Sequence, residues 1–411
     1  MTKRVAIFVF AFQFLFTSVS ARQNLVQEAW VRHHASRLTD DSIERVSMMR
    51  TDPVGNVYVA GVTAEGAEGL NILLIKYDAL GNLLWSRSIN GVPQASGDDH
   101  IIDMYVSNNG QIYLTAKSGV REQGWDMLTV KVSTTGVIEW AAQHNGSGSG
   151  DDIPVKIAVD ADGSAYVAGN SRADDFRDDV VMIKYGPGGG EQWIERYRPS
   201  GSGSPDAEAV SVQIDGERNL LVAATSFESF SSFKRSGYTA LKYAPDGALL
   251  WTASETERYV GEPYRATAAA VDLQGSFYIT GGLGTIKFTK DGEQVWRTIH
   301  ANSKFRNNTY DVLVDAQRNV FVAASQKMAD RPHDEYATIK INPIGLIEWV
   351  ARHRDSGNFD NLPHNVFLNN ETVYVSGRAG LLGYDKNGAQ QFLLMKTNIS
   401  HFILNILSLY L

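Results

Sequence analysis

Apolar and polar residues alternate with a period of two along most of the chain, in short runs, and one order of runs returns seven times. In one unit residues 154–160 alternate, Asp162 and Gly163 turn, and residues 165–169 alternate again. Residues 180–185 then make a third run and residues 192–197 a fourth. Alternation over four to eight residues, bounded by Gly and Asp, predicts strands joined by hairpins, so each unit is predicted to be a four-stranded meander. The second run recurs as Val57-Tyr58-Val59-Ala60-Gly61, Ile112-Tyr113-Leu114-Thr115-Ala116, Phe277-Tyr278-Ile279-Thr280-Gly281, Val320-Phe321-Val322-Ala323-Ala324 and Val373-Tyr374-Val375-Ser376-Gly377. Its β-branched and aromatic residues suit packing between neighbouring units, and its small last residue suits close backbone approach. An aromatic marks the fourth run: Trp85, Trp140, Trp193, Trp251, Trp296, Trp349 and finally Phe392.

Seven copies of a four-stranded unit, with no linker between them, predict an all-β fold: a seven-bladed β-propeller of four-stranded antiparallel blades, occupying residues 22–397 as one domain. Trp30, with residues 29–34 around it, matches a fourth run without its three predecessors, which predicts an N-terminal strand closing the ring on the last blade. That blade has its own candidate at residues 390–396, so two segments compete for one position. Tight Gly-bearing turns join the first run to the second and the third to the fourth, as in residues 52–56 and 78–82. The other connections, such as 63–71, 171–179, 225–237 and 326–335, are long. In a meander these alternate, so the long loops are expected on one face of the disc and any ligand site with them. In the fifth unit only residues 281–284 fill the long connection, which predicts a gap in that rim and an opening on one side of the channel mouth. Residues 398–411 form an apolar tail that fits no position of the repeat.

Residues 1–21 carry Lys3 and Arg4, an apolar run and the small residues of a cleavage site, the layout of a signal peptide. Its removal takes the net charge from −8 to −10, a balance opposed to nucleic-acid binding. No other stretch reaches the roughly 18 to 20 apolar residues of a membrane span. Cysteine is absent, so neither disulfides nor lipidation after the signal is available. The expected location is extracytoplasmic: periplasmic, secreted or at the cell surface.

Residues 160–169, Asp-Ala-Asp-Gly-Ser-Ala-Tyr-Val-Ala-Gly, followed by Ile183-Lys184-Tyr185 and Trp193, resemble the bacterial SBBP-type β-propeller repeat, as does Ile347-Glu348-Trp349-Val350-Ala351-Arg352-His353. The resemblance runs from about Trp30 to Phe392. It implies an exported or cell-surface protein of seven-bladed form with no shared catalytic residues to carry over.

Several constellations invite a chemical reading. Lys76, Lys131, Lys184, Lys242, Lys287 and Lys340 share one position of the third run, with Gly383 in the seventh unit, and acids or amides recur before the first run, among them Asp98-Asp99 and Asp151-Asp152. A feature repeated in every blade is expected to be architecture, the Lys stem packing on the fourth-run aromatic and its ammonium held by an acid or carbonyl. Asp160-Ala161-Asp162-Gly163 resembles the start of a calcium loop but lacks its later ligands, and Asp before Gly is ordinary turn chemistry. The acid-rich residues Asp174, Asp175, Asp178 and Asp179 remain as a cation candidate, with Ca²⁺ the implied ion; no other cofactor is indicated. His34, His144, His300 and His353 each follow a Trp by four residues, a repeat position that spreads them around the disc rather than gathering them on one metal. Quinoprotein-like Asp78, Gly81 and Trp85 lack the spacing and adjacent cysteines of a quinone site.

Nucleophile elbows, phosphate loops and zinc-protease motifs are missing, so no catalytic residue is assigned. The reading that results is a non-enzymatic, monomeric binding or scaffolding disc for protein or carbohydrate. Its candidate contacts on the long-loop face are Trp125, Phe176, Phe227, Phe230, Phe233 and Tyr259. The alternative is a lyase or hydrolase with acid-base residues at the channel mouth, its candidates His333, Glu335 and Asp178.

Overall fold

The structure is a computed structural model, described here for residues 44–395 apart from the connecting residues 65–68, 92–96, 121–123, 147–149, 173–176, 201–205, 301–305, 328–332, 355–359, 361, 370 and 378–379. Seven antiparallel sheets, each of four strands consecutive in sequence, make blades at residues 44–89, 99–144, 152–197, 206–259, 266–298, 306–353 and 363–395. Among the described residues there is no helix. The strands run one to three residues beyond the alternating runs at one end: in the third blade they are Asp152–Val159, Ala165–Arg172, Asp178–Tyr185 and Glu191–Tyr197. Gln390–Met395 completes the seventh sheet, so every described blade has its own fourth strand and no sheet is shared between the first and last blades. The signal peptide, the strand expected around Trp30 and the tail at 398–411 lie outside the described residues.

The first strand of each blade is innermost and the fourth forms the rim. Second and third strands are sandwiched between blades, which is why they read as nearly unbroken apolar runs: Val57–Ala64 and Leu70–Tyr77 are buried along almost their whole length. Met48, Tyr58, Ile72 and Leu74 of the first blade, for example, share one core cluster with Ile101, Met104, Ile112 and Leu114 of the second. Each inner strand carries one β-bulge, at Val46/Met48 in the first blade and at the matching place in all the others. The small residue that ends the second run sits opposite this bulge. A Cβ at Gly281 would collide with the carbonyl of Arg265, so the close approach anticipated for these small residues is real.

Blades are tied to one another by a repeated latch. The indole N–H groups of Trp85, Trp140, Trp193, Trp251, Trp296 and Trp349 donate to the carbonyls of Thr134, Pro187, Pro245, Lys290, Pro343 and Lys386, at 2.9 to 3.1 Å. Each acceptor is in the tight turn before the fourth strand of the next blade. Five of the repeated lysines donate to the same carbonyls, at 2.7 Å in the case of Lys184 to Pro245. Pro at the second turn position pre-sets φ, and the glycine two residues later supplies the positive φ the turn requires. Gly247, at φ 94°, also lets the turn lie flat on Trp193, where a Cβ would meet the indole Cγ at 3.0 Å.

The repeated lysines stand opposite the fourth-strand aromatic in register, Lys76 beside Trp85 and Lys184 beside Trp193, with the ammonium held by a carbonyl as anticipated. Their ammonium groups also stand over the second-strand aromatic, 5.0 Å from the Tyr58 ring for Lys76 and 5.1 Å from the Tyr166 ring for Lys184. Cross-strand register explains this second contact, because Tyr58 and Trp85 flank Lys76 on either side within one sheet. Where the aromatic is replaced by Leu221, Lys242 pairs with Asp215 at 2.8 Å.

On the opposite face the recurrent acids make a second set of ties. Asp98, Asp151, Asp206 and Asp360 each accept the backbone N–H at the start of the preceding blade's third strand, from Leu70, Trp125, Asp178 and Asp334, at 2.8 to 3.1 Å. Asp99 and Asp152 accept N–H groups from Gly91 and Gly146, just after the preceding blade's fourth strand. Acids in the tight turns serve the turn itself: Asp160 accepts from Asp162 and Ser164, and Asp162 pairs with Arg218, so the calcium-loop resemblance resolves as turn chemistry.

Trp193→Phe keeps a six-membered aromatic ring but removes the pyrrole half of the indole with its N–H, so it is expected to cost about 2 kcal/mol, whereas Trp193→Ala is expected to cost about 3 to 5 kcal/mol. Denaturant titration of both variants measures the two losses, and a Trp193→Phe protein as stable as the wild type would mean that the indole hydrogen bond adds nothing.

Candidate functional site

Long connections do emerge on one face, and the fourth blade stands highest there. The connection expected at 225–237 is mostly strand: Leu220–Ser229 and Lys234–Tyr243 extend as one hairpin, flanked by the eleven-residue Leu249–Tyr259. At its tip Phe230 N–H donates to the Phe233 carbonyl, closing a tight turn that stacks the two rings with centroids 4.5 Å apart. The Arg258 guanidinium lies 4.0 Å from the Phe233 ring centroid, and that of Arg265 4.7 Å from Phe227. Tyr259 is paired with Lys234 at the end of the rim strand. Four of the proposed contact residues, Phe227, Phe230, Phe233 and Tyr259, therefore belong to one ridge. Trp125 does not: it lies in the second blade beneath Lys117, 4.1 Å from its ring, with His100 edge-on. Phe176 lies outside the described residues.

The fifth blade is low, as its sequence requires, with two residues between Phe277–Gly281 and Gly284–Phe288. Its turn folds onto the neighbouring ridge. Leu283 is buried; its N–H donates to the Tyr238 hydroxyl, which donates to the Gly284 carbonyl, while Arg297 binds the Leu283 carbonyl. Arg297 also pairs with Glu257 at 2.5 Å and Glu255 at 3.5 Å, fastening the base of the ridge to the low blade.

Of the cation candidates, Asp174 and Asp175 lie outside the described residues. Asp178 pairs with Arg172 at 2.9 Å, and Asp179 with Arg198 at 2.5 Å, so both carboxylates already hold arginines. Among the described residues no group of three or more His, Asp or Glu is arranged to hold a metal. His144, His300 and His353 sit in separate blades, and burial pushes His300 down to about 4. Of the acid-base candidates, His333, which meets Asp360 at 3.3 Å, and the buried Glu335 share the sixth blade, whereas Asp178 belongs to the third.

A cavity of about 510 Å³ lies on the axis, lined by inner-strand residues of all seven blades. The residue immediately after the bulge is Met48, Asp103, Lys156, Ser211, Ala268, Asp311 and Asn365 in blades one to seven, and all but Met48 line the cavity. Bulges re-aim side chains, and here they direct one per blade toward the axis. Asp103 pairs with Arg50 at 3.2 Å and Lys156 at 3.7 Å, and its second oxygen accepts the N–H of Ile157. Asp311 accepts N–H groups from Val366 and Val312; burial pushes its carboxyl up to about 6, although Lys156 and Arg50 pull the other way. Desolvation lowers the pKa of His364 on the same wall. Repeat-based reasoning passed over this site because its residues do not recur as one type, only Asp103 and Asp311 being alike. The signal was there: ionisable residues inside an otherwise apolar first run.

Fold and axial cavity together define the class: a seven-bladed β-propeller with inner strands around a central channel. Residues 139–177, from the rim strand of the second blade into the third, match the sequence profile of SBBP, a beta-propeller repeat, and the chain carries that repeat. Among solved structures, a protein of unknown function from Bacteroides caccae is similar at 14% identity and a TM-score of 0.38, over 69% of this chain and 93% of that one. PorZ, a bacterial surface component of the type-IX secretion system of Porphyromonas gingivalis, is similar at 15% identity and 0.44, over 83% of this chain and 46% of that one. The beta-propeller domain of the Trilobed protease from Pyrococcus furiosus is similar at 10% and 0.45, over 84% and 97%. No curated protein matches the sequence.

Because the folded-state pKa of Asp311 is raised from 3.8 to about 6, the native state holds this proton more tightly than the unfolded chain. Its contribution is full below the unfolded pKa and is lost as pH rises through about 6. Between pH 4 and pH 8 the wild type is expected to lose on the order of 2 kcal/mol more than Asp311→Asn. Denaturation midpoints across that range check it, and parallel pH profiles would refute the assignment.

Proposed function

We propose that this chain is an exported, non-enzymatic binding module that contacts protein or carbohydrate through its long-loop face, with the fourth-blade ridge as the contact. The observation that carries this reading is the stacked pair Phe230–Phe233 at the ridge tip, flanked by the Arg258 guanidinium. Aromatic faces with an adjacent arginine are the side chains that dominate recognition sites, because they bury much area with few rotatable bonds. Here they are held at a height above the disc by a hairpin whose base is fastened to the next blade. The rigid ring supplies the scaffold. Export rests on residues 1–21, and no described helix is long and apolar enough to cross a membrane.

Phe230→Ala combined with Phe233→Ala is expected to weaken retention on a glycan array or a surface-extract column at least tenfold, the scale of losing hot-spot aromatics. The thermal midpoint should hardly move, because the tip is remote from the blade cores. Unchanged retention with the fold intact would rule out the ridge as the contact.

A further inference from the structure

The axial cavity combines three properties that the blade architecture does not require. First, its size of about 510 Å³ falls within the range of small-molecule sites. Secondly, it is chemically uneven. Arg50, Asp103, Lys156, Asp311 and His364 line the sector formed by blades one to three, six and seven, whereas Ser211, Ala268 and Ala269 face them with small side chains. Features that hold a repeat together recur in each repeat. The post-bulge position instead carries six residue types over seven blades, with only Asp occurring twice, so its identities are free to answer to something other than packing.

Thirdly, hydrogen-bonding capacity on this wall is unequally spent. Asp103 is committed through both oxygens, to two cations and to the Ile157 N–H, and Asp311 through both of its own to backbone N–H groups. The cations are not used up. Lys156 reaches Asp103 only at 3.7 Å and keeps 45% of its side chain accessible inside the ring, and Arg50 keeps 32%. A guanidinium and an ammonium with donors left over, on a partly desolvated wall, are the recognition elements of a carboxylate. The groups facing Asp311 are Arg50, Asp103, Lys156, Tyr310 and His364. Below about pH 6 Asp311 takes a proton and the wall becomes net positive.

We propose that the central channel is a second binding site, distinct from the ridge, for a small hydroxy-carboxylate of the sugar-acid type. Lys156 and Arg50 receive the carboxylate, and the polar groups of Gln213, Asn365 and His364 face its hydroxyls. The small residues of the fourth and fifth blades leave the room it occupies.

Calorimetric titration of the whole protein at pH 5.5 with galacturonate and with gluconate, using galactose as the neutral control, tests this. The charged probes are expected to bind with dissociation constants below about 1 mM and galactose at least tenfold more weakly. Lys156→Gln is expected to lose at least tenfold in affinity for the charged probes, Lys156→Arg to retain binding, and the Phe230→Ala/Phe233→Ala protein to bind as the wild type does. Should Lys156→Gln perturb folding, NMR of the wild-type protein with ¹³C-methylated lysines gives an independent reading, in which galacturonate shifts the Lys156 resonance. Failure of both charged probes to bind, equal binding of galactose, or unchanged affinity in Lys156→Gln would each overturn the proposal. Loss of ridge binding with channel binding intact would leave it standing.

Discussion

The hydrogen bond from a rim-strand indole to a turn carbonyl of the next blade is the interaction on which this ring depends. Each sheet taken alone is a small meander with two apolar faces, stable only when both are covered. Hydrophobic packing covers them but does not fix angle or register between neighbours. The Trp indole, lying on the positive-φ glycine of the next turn and donating to that turn's second residue, sets both at once. Lysine adds a second donor to the same oxygen and shields its ammonium over the aromatic of its own sheet. Acids on the other face capture N–H groups of the preceding blade, so each blade is held at both ends of its strands.

This division of labour decides where function can reside. Trp, Lys, Gly and the paired aspartates are occupied by the ring, and the residues that look most reactive in the sequence are the least available. Two places escape: the height of the hairpin above the disc, which the fourth blade exploits, and the post-bulge residue of the inner strand, which takes six types over seven blades. The first gives an outward aromatic contact and the second an inward charged one. They lie on different parts of the molecule and are separable by mutation.

Most of the fold was legible because the governing signals are local. Alternation, turn glycines and the recurrent aromatic located all seven sheets, and strand ends moved by only a few residues. The low fifth blade was legible for the same reason, since a chain of two residues can only turn. What the sequence hid depends on register and on contacts across blades. Lys184 reaches Tyr166 as well as standing opposite Trp193 because of pairing within the sheet, and Asp178 and Asp179 meet arginines that are separated from them along the chain. The axial site was hidden more deeply. Asp103, Lys156 and Asp311 sit on three blades and converge only once the bulges turn them inward, a geometry that alternation alone does not encode. The ridge was half legible: its phenylalanines were recognisable as candidates, while the strand extension that lifts them was read as loop.

The central claim, that indole-to-turn latches set the ring, is tested most directly by hydrogen exchange of the tryptophan indole N–H groups, followed by NMR on ¹⁵N-tryptophan-labelled protein. Trp85, Trp140, Trp193, Trp251, Trp296 and Trp349 should exchange slowly. Trp125, whose indole has no such carbonyl partner among the described residues, serves as the internal reference and should exchange fast. Six slow indoles against a fast Trp125 is the result the account predicts; exchange of the six at the rate of Trp125 would contradict it.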